Sequence, residues 1–252
     1  MRGALLAAVP LLMAQAPAPR LVPDVSQRAI EIVYSFTGAE LLLFGAILYP
    51  GGRPPPGSEP AEIVVVVKGP TQSIRVREKQ RVAGIWVNAE DLRYRSAPSF
   101  YAIASSRPVD QLVDERTRAI YELGLDSLHL SPVSSASPDV EDRFSQGLVG
   151  LRRRTGLYYE APGAVEITDG VLYRARLTIP ARVPVGRFTA ETFLIRDGRV
   201  LAAAVREIDI RKSGFERFVA TAAERASLAY GLAAVALSVG LGWFAGWIAG
   251  RR

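Results

Sequence analysis

Between Ala226 and Gly250 the chain runs for 25 residues (ASLAYGLAAVALSVGLGWFAGWIAG) without a charged side chain, and Arg251 and Arg252 follow. About 20 apolar residues wound as a helix cross the ~30 Å hydrocarbon core of a bilayer. The spacing therefore predicts a single transmembrane helix over 226–250, with nearly all of the folding capacity placed before it. The arginine pair closes the anchor, whereas Glu216, Arg217, Glu224 and Arg225 before it mix both signs. Positive charge is retained on the cytoplasmic side, so the C-terminus is expected inside and the preceding domain outside. Met1-Arg2, the apolar run Ala4–Met13 and the small residues Ala14-Gln15-Ala16 read as a signal peptide over 1–16, although Pro17 disfavours cleavage directly after Ala16. An uncleaved N-terminal anchor is the rival reading, and the apolar run is short for it. These signs predict a single-pass protein of the bacterial inner membrane with a periplasmic domain.

There is no cysteine, which excludes disulfides, thiolate metal sites and a cysteine nucleophile. The exported domain must hold together by core burial, for which roughly 190 residues suffice. The isoelectric point near 9.8 comes mostly from arginine spread along the chain, and only Lys68, Lys79 and Lys212 are lysines. That dispersion describes a solvated surface, and no nucleic acid is expected as a partner.

Strand patterns dominate the exported part. Ile30–Phe36 and Leu41–Tyr49 alternate, Tyr49–Pro60 is a Pro/Gly-rich loop, and Ile63–Lys68 (IVVVVK) is the continuous apolar run of a strand buried on both faces. Ser73–Arg77, Ala83–Asn88 and Phe100–Ser105 are further short strands. Helical spacing then takes over at 108–123, and again at 138–154. The second helix has Ser137 as N-cap, Pro138 at its first position, Val140, Phe144, Leu148 and Leu151 as its buried stripe, Arg152–Arg154 in the last turn and Gly156 as cap. Strands return at Gly163–Ile167, Leu172–Ile179, Gly186–Ile195 and Val200–Ile210, with Asp169-Gly170 and Asp197-Gly198 as hairpin signals. The prediction is a mainly β protein of immunoglobulin-like β-sandwich character: a β-rich lobe at 21–107, a helical insertion at 108–156, an Ig-like lobe at 157–212 and the anchor. One sandwich built discontinuously from both lobes is the alternative.

Catalytic patterns are weak. The single histidine, His129, lies between Leu128 and Leu130 with no Gly-x-Ser-x-Gly elbow, and a lone histidine in an apolar run is usually a packed residue. Glu90-Asp91 is best read as a solvated pair, Trp86 as a core residue rather than a pocket marker with Asn88, and Arg152–Arg154 as helix-end charge. Gly240-Leu-Gly242-Trp-Phe-Ala245 matches a dinucleotide fingerprint only by letters, because no strand precedes it. No catalytic, metal-binding or cofactor-binding residues are assigned, and no cofactor is expected. In the anchor, Ser238, Gly242, Gly246 and Gly250 recur every four residues, and small residues at that spacing let two helices approach closely. Trp243 and Trp247 line an adjacent face.

Several segments stand in a telling order: Phe36–Gly45 (FTGAELLLFG), Val64–Pro70 (VVVVKGP), Arg81–Asn88 (RVAGIWVN), Pro98–Pro108, Val183–Gly186 and Tyr230-Gly231. Together they resemble the alphaproteobacterial transmembrane protein family of uncharacterised, single-anchor proteins, across nearly the whole mature chain. The loop at 50–60 looks longer than that family's usual connection. The resemblance implies a gene context beside a permease similar to sulfite and sulfonate exporters, and it carries no assigned catalytic residues. The expected function is therefore a non-enzymatic, membrane-anchored periplasmic accessory or binding module serving an inner-membrane transporter. Its partners would be the bilayer and either a permease or a second copy of the chain. The alternatives are a periplasmic hydrolase using carboxylates or a serine around His129, and a structural envelope assembly factor.

Overall fold

The computed structural model describes residues 18–32, 37–133, 136–212 and 223–249. Segment 1–16, read in the sequence as a signal peptide, residues 33–36 at the end of the first expected strand, the stretch 213–222, and Gly250 with Arg251 and Arg252 lie outside the described residues. The elements are β1 (Arg20–Val25), β2 (Ala29–Ile32), β3 (Gly38–Leu48), β4 (Glu62–Lys68), β5 (Thr71–Val82), β6 (Ile85–Pro98), β7 (Tyr101–Ser105), α1 (Glu115–Tyr121), β8 (Ser131–Pro132), α2 (Pro138–Arg154), β9 (Tyr158–Pro162), β10 (Val165–Thr168), β11 (Leu172–Pro180), β12 (Gly186–Arg196), β13 (Arg199–Lys212) and α3 (Ser227–Ala249).

Two sheets share one core. The first has the order β1-β3-β11-β10 and is antiparallel throughout; the second has the order β2-β13-β12-β4-β7-β9. In the second sheet β2 runs parallel to β13 and β9 parallel to β7. With β1, β3, β4, β7, β10, β11, β12 and β13 as strands A, B, C, C′, D, E, F and G, these orders reproduce the immunoglobulin ABED sheet and a GFC sheet widened by C′. Strands of 21–107 and of 157–212 therefore interleave: β3 pairs with β11 and β4 with β12. The two segments form one discontinuous sandwich, because neither holds a complete pair of sheets.

The two sheets differ in how they meet water. On β11, Tyr173, Ala175, Leu177 and Ile179 are buried while the residues between them face outward, the alternation expected of a one-sided sheet. Its wet face carries a charged ladder, with Arg174 bonded to Glu166 and Arg176 beside Glu40. On β4, Ile63 through Val67 are all buried, and so is every residue of β7. The four-stranded sheet covers one side of these strands. Leu112, Val113, Leu123 and Leu125 of the helical insertion join the same core and cover the other.

Several local expectations need revision. Ser73–Arg77 and Ala83–Asn88 are parts of one long hairpin, β5–β6, whose turn is Ala83-Gly84 with φ of 49° and 86°. Paired positive φ angles make a primed two-residue turn, a role the letters Ala-Gly signal poorly compared with Asn-Gly. Trp86 lies just beyond that turn and is 65% exposed, so it is not a core residue. The expected helix 108–123 divides into a 3₁₀ turn at Val109–Gln111 and α1, which starts where Asp114 Oδ1 accepts from Thr117 N at 2.9 Å. Helix α2 begins after Ser137 as expected. Ser137 makes no side-chain cap; instead Glu141 Oε1 accepts from Ala136 N at 3.1 Å. Phe144 and Leu148 of α2 pack with Leu92, Tyr94 and Ala97 of the hairpin sheet in a second small core, whereas Leu151 is exposed. Gly156 takes φ of +70° after α2, the left-handed cap expected of it.

Gly45 on β3 marks a close approach inside the sandwich. A Cβ there would press on the Val22 carbonyl oxygen and sit 2.6 Å from the Tyr173 hydroxyl, whereas one at Gly51 meets nothing. Gly45→Ala is expected to destabilise the domain by about 1–3 kcal/mol, with Gly51→Ala near neutral. Thermal unfolding of the detergent-solubilised protein followed by circular dichroism checks both.

Candidate functional site

The outer face of the six-stranded sheet, where the helical insertion lies on it, gathers the most unusual chemistry of the described residues. Register sets which side chains point there. Antiparallel pairing places Val64 opposite Phe193, Val66 opposite Glu191 and Lys68 opposite Tyr101, so these residues share one face. Lys68 closes the apolar run of β4 on this side and is only 18% exposed. Its ammonium lies 2.7 Å from Glu122 Oε2 and 3.3 Å from Glu191 Oε2. A half-buried lysine needs such partners, because removing an ammonium from water unpaired is costly.

Glu122 joins this cluster from the C-cap of α1, in a left-handed conformation with φ 52° and ψ 46°. A non-glycine residue held there carries roughly 1 kcal/mol or more of backbone strain, which neighbouring contacts must offset. Those contacts are present. The Tyr101 hydroxyl donates to the Glu122 carbonyl at 2.6 Å and accepts from Gly124 N at 2.9 Å. Glu122 Oε1 accepts from His129 N at 3.0 Å, and Glu160 Oε1 accepts from Leu125 N at 2.7 Å. Burial alone would raise the Glu122 carboxyl, but the hydrogen bond and charge of Lys68, with the His129 amide, outweigh it and hold the group below its ordinary value. Burial likewise raises the Tyr101 phenol, so it stays protonated and able to donate.

Beside this network opens a groove of about 450 Å³ between α1 and β13. Lys68, Glu122 and Glu191 line it together with Phe193, Ala203 and Ala204. Its rim is apolar and open: Ile120 is 60% exposed, Val205 51%, and Tyr121 stands edge-on to Phe193 with ring centroids 5.4 Å apart. Ile120 falls at helical spacing with Leu112, Val113 and Leu123 in the sequence. It faces out because α1 is only seven residues long and is turned by its caps so that Leu112, Val113 and Leu123 on either side take the core positions. An apolar rim around a small charged floor suits docking of an apolar segment that carries a polar group.

The residues singled out in the sequence scatter. His129 does line the groove, with its ring exposed and Nδ1 3.5 Å from Glu122 Oε1. Glu90 and Asp91 sit on β6, ion-paired with Arg143 and Arg75 respectively, so the two carboxylates weighed with His129 in the hydrolase alternative pair with arginines instead. Arg152–Arg154 end α2 as expected. Ser238, Gly242 and Gly246 lie on α3, where Ser238 Oγ donates to Ala234 O at 2.9 Å, while Gly250 lies outside the described residues. Among the described residues, no group of three or more His, Asp or Glu side chains is placed to hold a metal ion. Sequence reasoning missed the Lys68–Glu122–Glu191 cluster. Its one visible sign is a lysine ending a run of buried valines.

Glu122→Gln is expected to lower stability by about 1–3 kcal/mol at neutral pH, because Lys68 loses its nearest charge. A carboxyl held below its ordinary value of 4.5 contributes stability that is fully present above that pH and is lost as pH falls through the lowered value. The gap between wild type and Glu122→Gln should therefore close on acidification. Urea melts at pH 7 and near pH 4 test this.

Spo0M, a sporulation control protein from Bacillus subtilis, is 11% identical over 83% of this chain, with a TM-score of 0.28, and the match takes in 56% of the Spo0M chain. No curated protein matches. A family described as "Putative transmembrane protein (Alph_Pro_TM)" matches residues 20–251, which takes in the sandwich, the insertion and the anchor. The apolar helix α3, with mean hydropathy 1.4 over Tyr230–Trp247, supplies the membrane segment that this description requires. The chain belongs to this family of transmembrane proteins.

Proposed function

We propose that the protein is a membrane-anchored binding module whose sandwich stands on the periplasmic side of the inner membrane and docks, through the groove between α1 and β13, onto an inner-membrane permease. The observation that carries this reading is the exposed apolar rim of Ile120, Tyr121 and Val205 around the Lys68–Glu122–Glu191 floor. Exposed apolar side chains clustered at a concavity are what a partner covers. The periplasmic placement rests on the signal-like segment 1–16 and on Arg251-Arg252 beyond the anchor. The permease rests on the gene context implied by the family resemblance. Ser238, Gly242, Gly246 and Gly250 would give the anchor a face for close packing against a partner helix, either a permease helix or that of a second copy.

Copurification of the full-length protein in detergent tests the reading. Wild type should retain a polytopic permease, and Ile120→Glu with Val205→Glu should lose most of it while remaining folded and membrane-inserted. Gly246→Ile should weaken the complex, whereas Ala236→Ile, on another face, should not. Retention in the groove variant would remove the groove from the reading, and the absence of any permease with wild type would remove the transporter. Orientation has its own check. Protease added to spheroplasts should digest the domain without opening the inner membrane, and digestion only after lysis would reverse the placement.

A further inference from the structure

The hairpin β5–β6 is a second feature with no role in the groove. Strands β4 and β13 both run antiparallel to β12, so they point the same way and finish at the same end of the sandwich. From that end β13 leads through residues 213–226 to α3, the membrane anchor. From that same end the β4–β7 ladder continues into the hairpin. Lys68 pairs with Tyr101, Gly69 N donates to Phe100 O at 2.8 Å, Ser99 N donates to Pro70 O at 2.9 Å, and Thr71 pairs with Pro98. Twelve residues of extended strand reach about 40 Å. The 14 residues 213–226 span at most about 50 Å. The tether is thus no longer than the hairpin's own reach plus a few residues, and both start at one end.

The chemistry of the tip changes along its length. Midway along the hairpin each carboxylate is tied to an arginine, Asp91 to Arg75, and Glu78 and Glu90 to Arg143. From Lys79 to Ala89 there is no carboxylate, and Lys79 and Arg81 are the only charges. Over this stretch every residue is exposed, including Val82 at 55%, Ile85 at 68% and Trp86 at 65%. Such a hairpin, with aliphatic and indole side chains at its turn and two cations one step behind, matches the layers of a lipid interface. There the indole seats at the headgroup level, the aliphatic groups enter the acyl boundary, and the cations meet anionic phosphates.

We propose that the tip of the β5–β6 hairpin, Val82 to Val87, is a second membrane contact that inserts into the anionic surface of the same bilayer the anchor spans. This does not depend on the groove or on a permease. Two attachment points would fix the tilt of the sandwich over the membrane, where the anchor alone leaves it free to swivel.

The chain has three tryptophans, so Trp243→Phe with Trp247→Phe leaves Trp86 as the single reporter. This full-length variant is reconstituted into vesicles of phosphatidylcholine with a third phosphatidylglycerol, without other proteins. Trp86 emission is expected to shift to shorter wavelength than in the unfolded chain, and to lose at least half its intensity when the lipid acyl chains are brominated. Adding Lys79→Glu and Arg81→Glu should reverse most of that quenching while circular dichroism stays unchanged, as should removing the anionic lipid at high salt. Emission that stays at the water-exposed maximum and is not quenched in anionic vesicles overturns the proposal and reassigns the tip to a protein partner. Quenching unaffected by the charge reversals overturns the role of the cations and of the anionic lipid.

Discussion

Strand β4 is apolar on both faces, and most of the architecture answers to that constraint. A strand reading Ile-Val-Val-Val-Val can be stable only where nothing on either side is water. The four-stranded sheet supplies one cover, in the ordinary manner of a sandwich. The second cover has to be found outside the immunoglobulin framework, and the insertion between C′ and D provides it with Leu112, Val113, Leu123 and Leu125. Without the insertion the sheet would expose Val64, Val66 and Ile103. The helical segment is therefore part of the fold, not an ornament on it.

Holding a short helix against a sheet needs more than apolar area, since α1 is too brief to be stable alone. The Lys68–Glu122 pair and the Tyr101 hydroxyl supply direction. They tie Glu122, the C-cap of α1, to β4 and β7, and Gly124 just beyond it to β7, and so sustain the left-handed turn that ends the helix. The groove follows from the same arrangement, because a seven-residue helix covers only part of the sheet and leaves its edge beside β13 open.

The fold class was legible in the sequence because it rests on periodicity. Leu172–Ile179 alternates, IVVVV does not, and Asp-Gly turns bound the last strands, so two kinds of strand were readable before any pairing was known. Pairing itself is non-local, and nothing in the local pattern tells β3, which ends at Leu48, to bond β11, which begins at Leu172. The hairpin was legible only in part: Ser73–Arg77 and Ala83–Asn88 read as separate short strands, but Arg77–Arg81 holds no apolar residue, so nothing marked the strand as running on to the turn. Of the site, only Lys68 and His129 were visible, as oddities. Glu122 could not be singled out, since its importance lies in a backbone conformation that the sequence Tyr-Glu-Leu does not announce.

The parallel pairing of β2 with β13 has a mechanical meaning. The last strand before the anchor is flanked by β12 along most of its 14 residues and by β2 at its final four. A tug from the membrane, or from anything that moves against the anchor, acts along β13 and slides it past both neighbours. In that geometry the ladder's hydrogen bonds resist together, whereas a pull across the sheet would open them one at a time. The sandwich is thus joined to its tether by a strand paired on both sides at its end, loaded in shear rather than peeled.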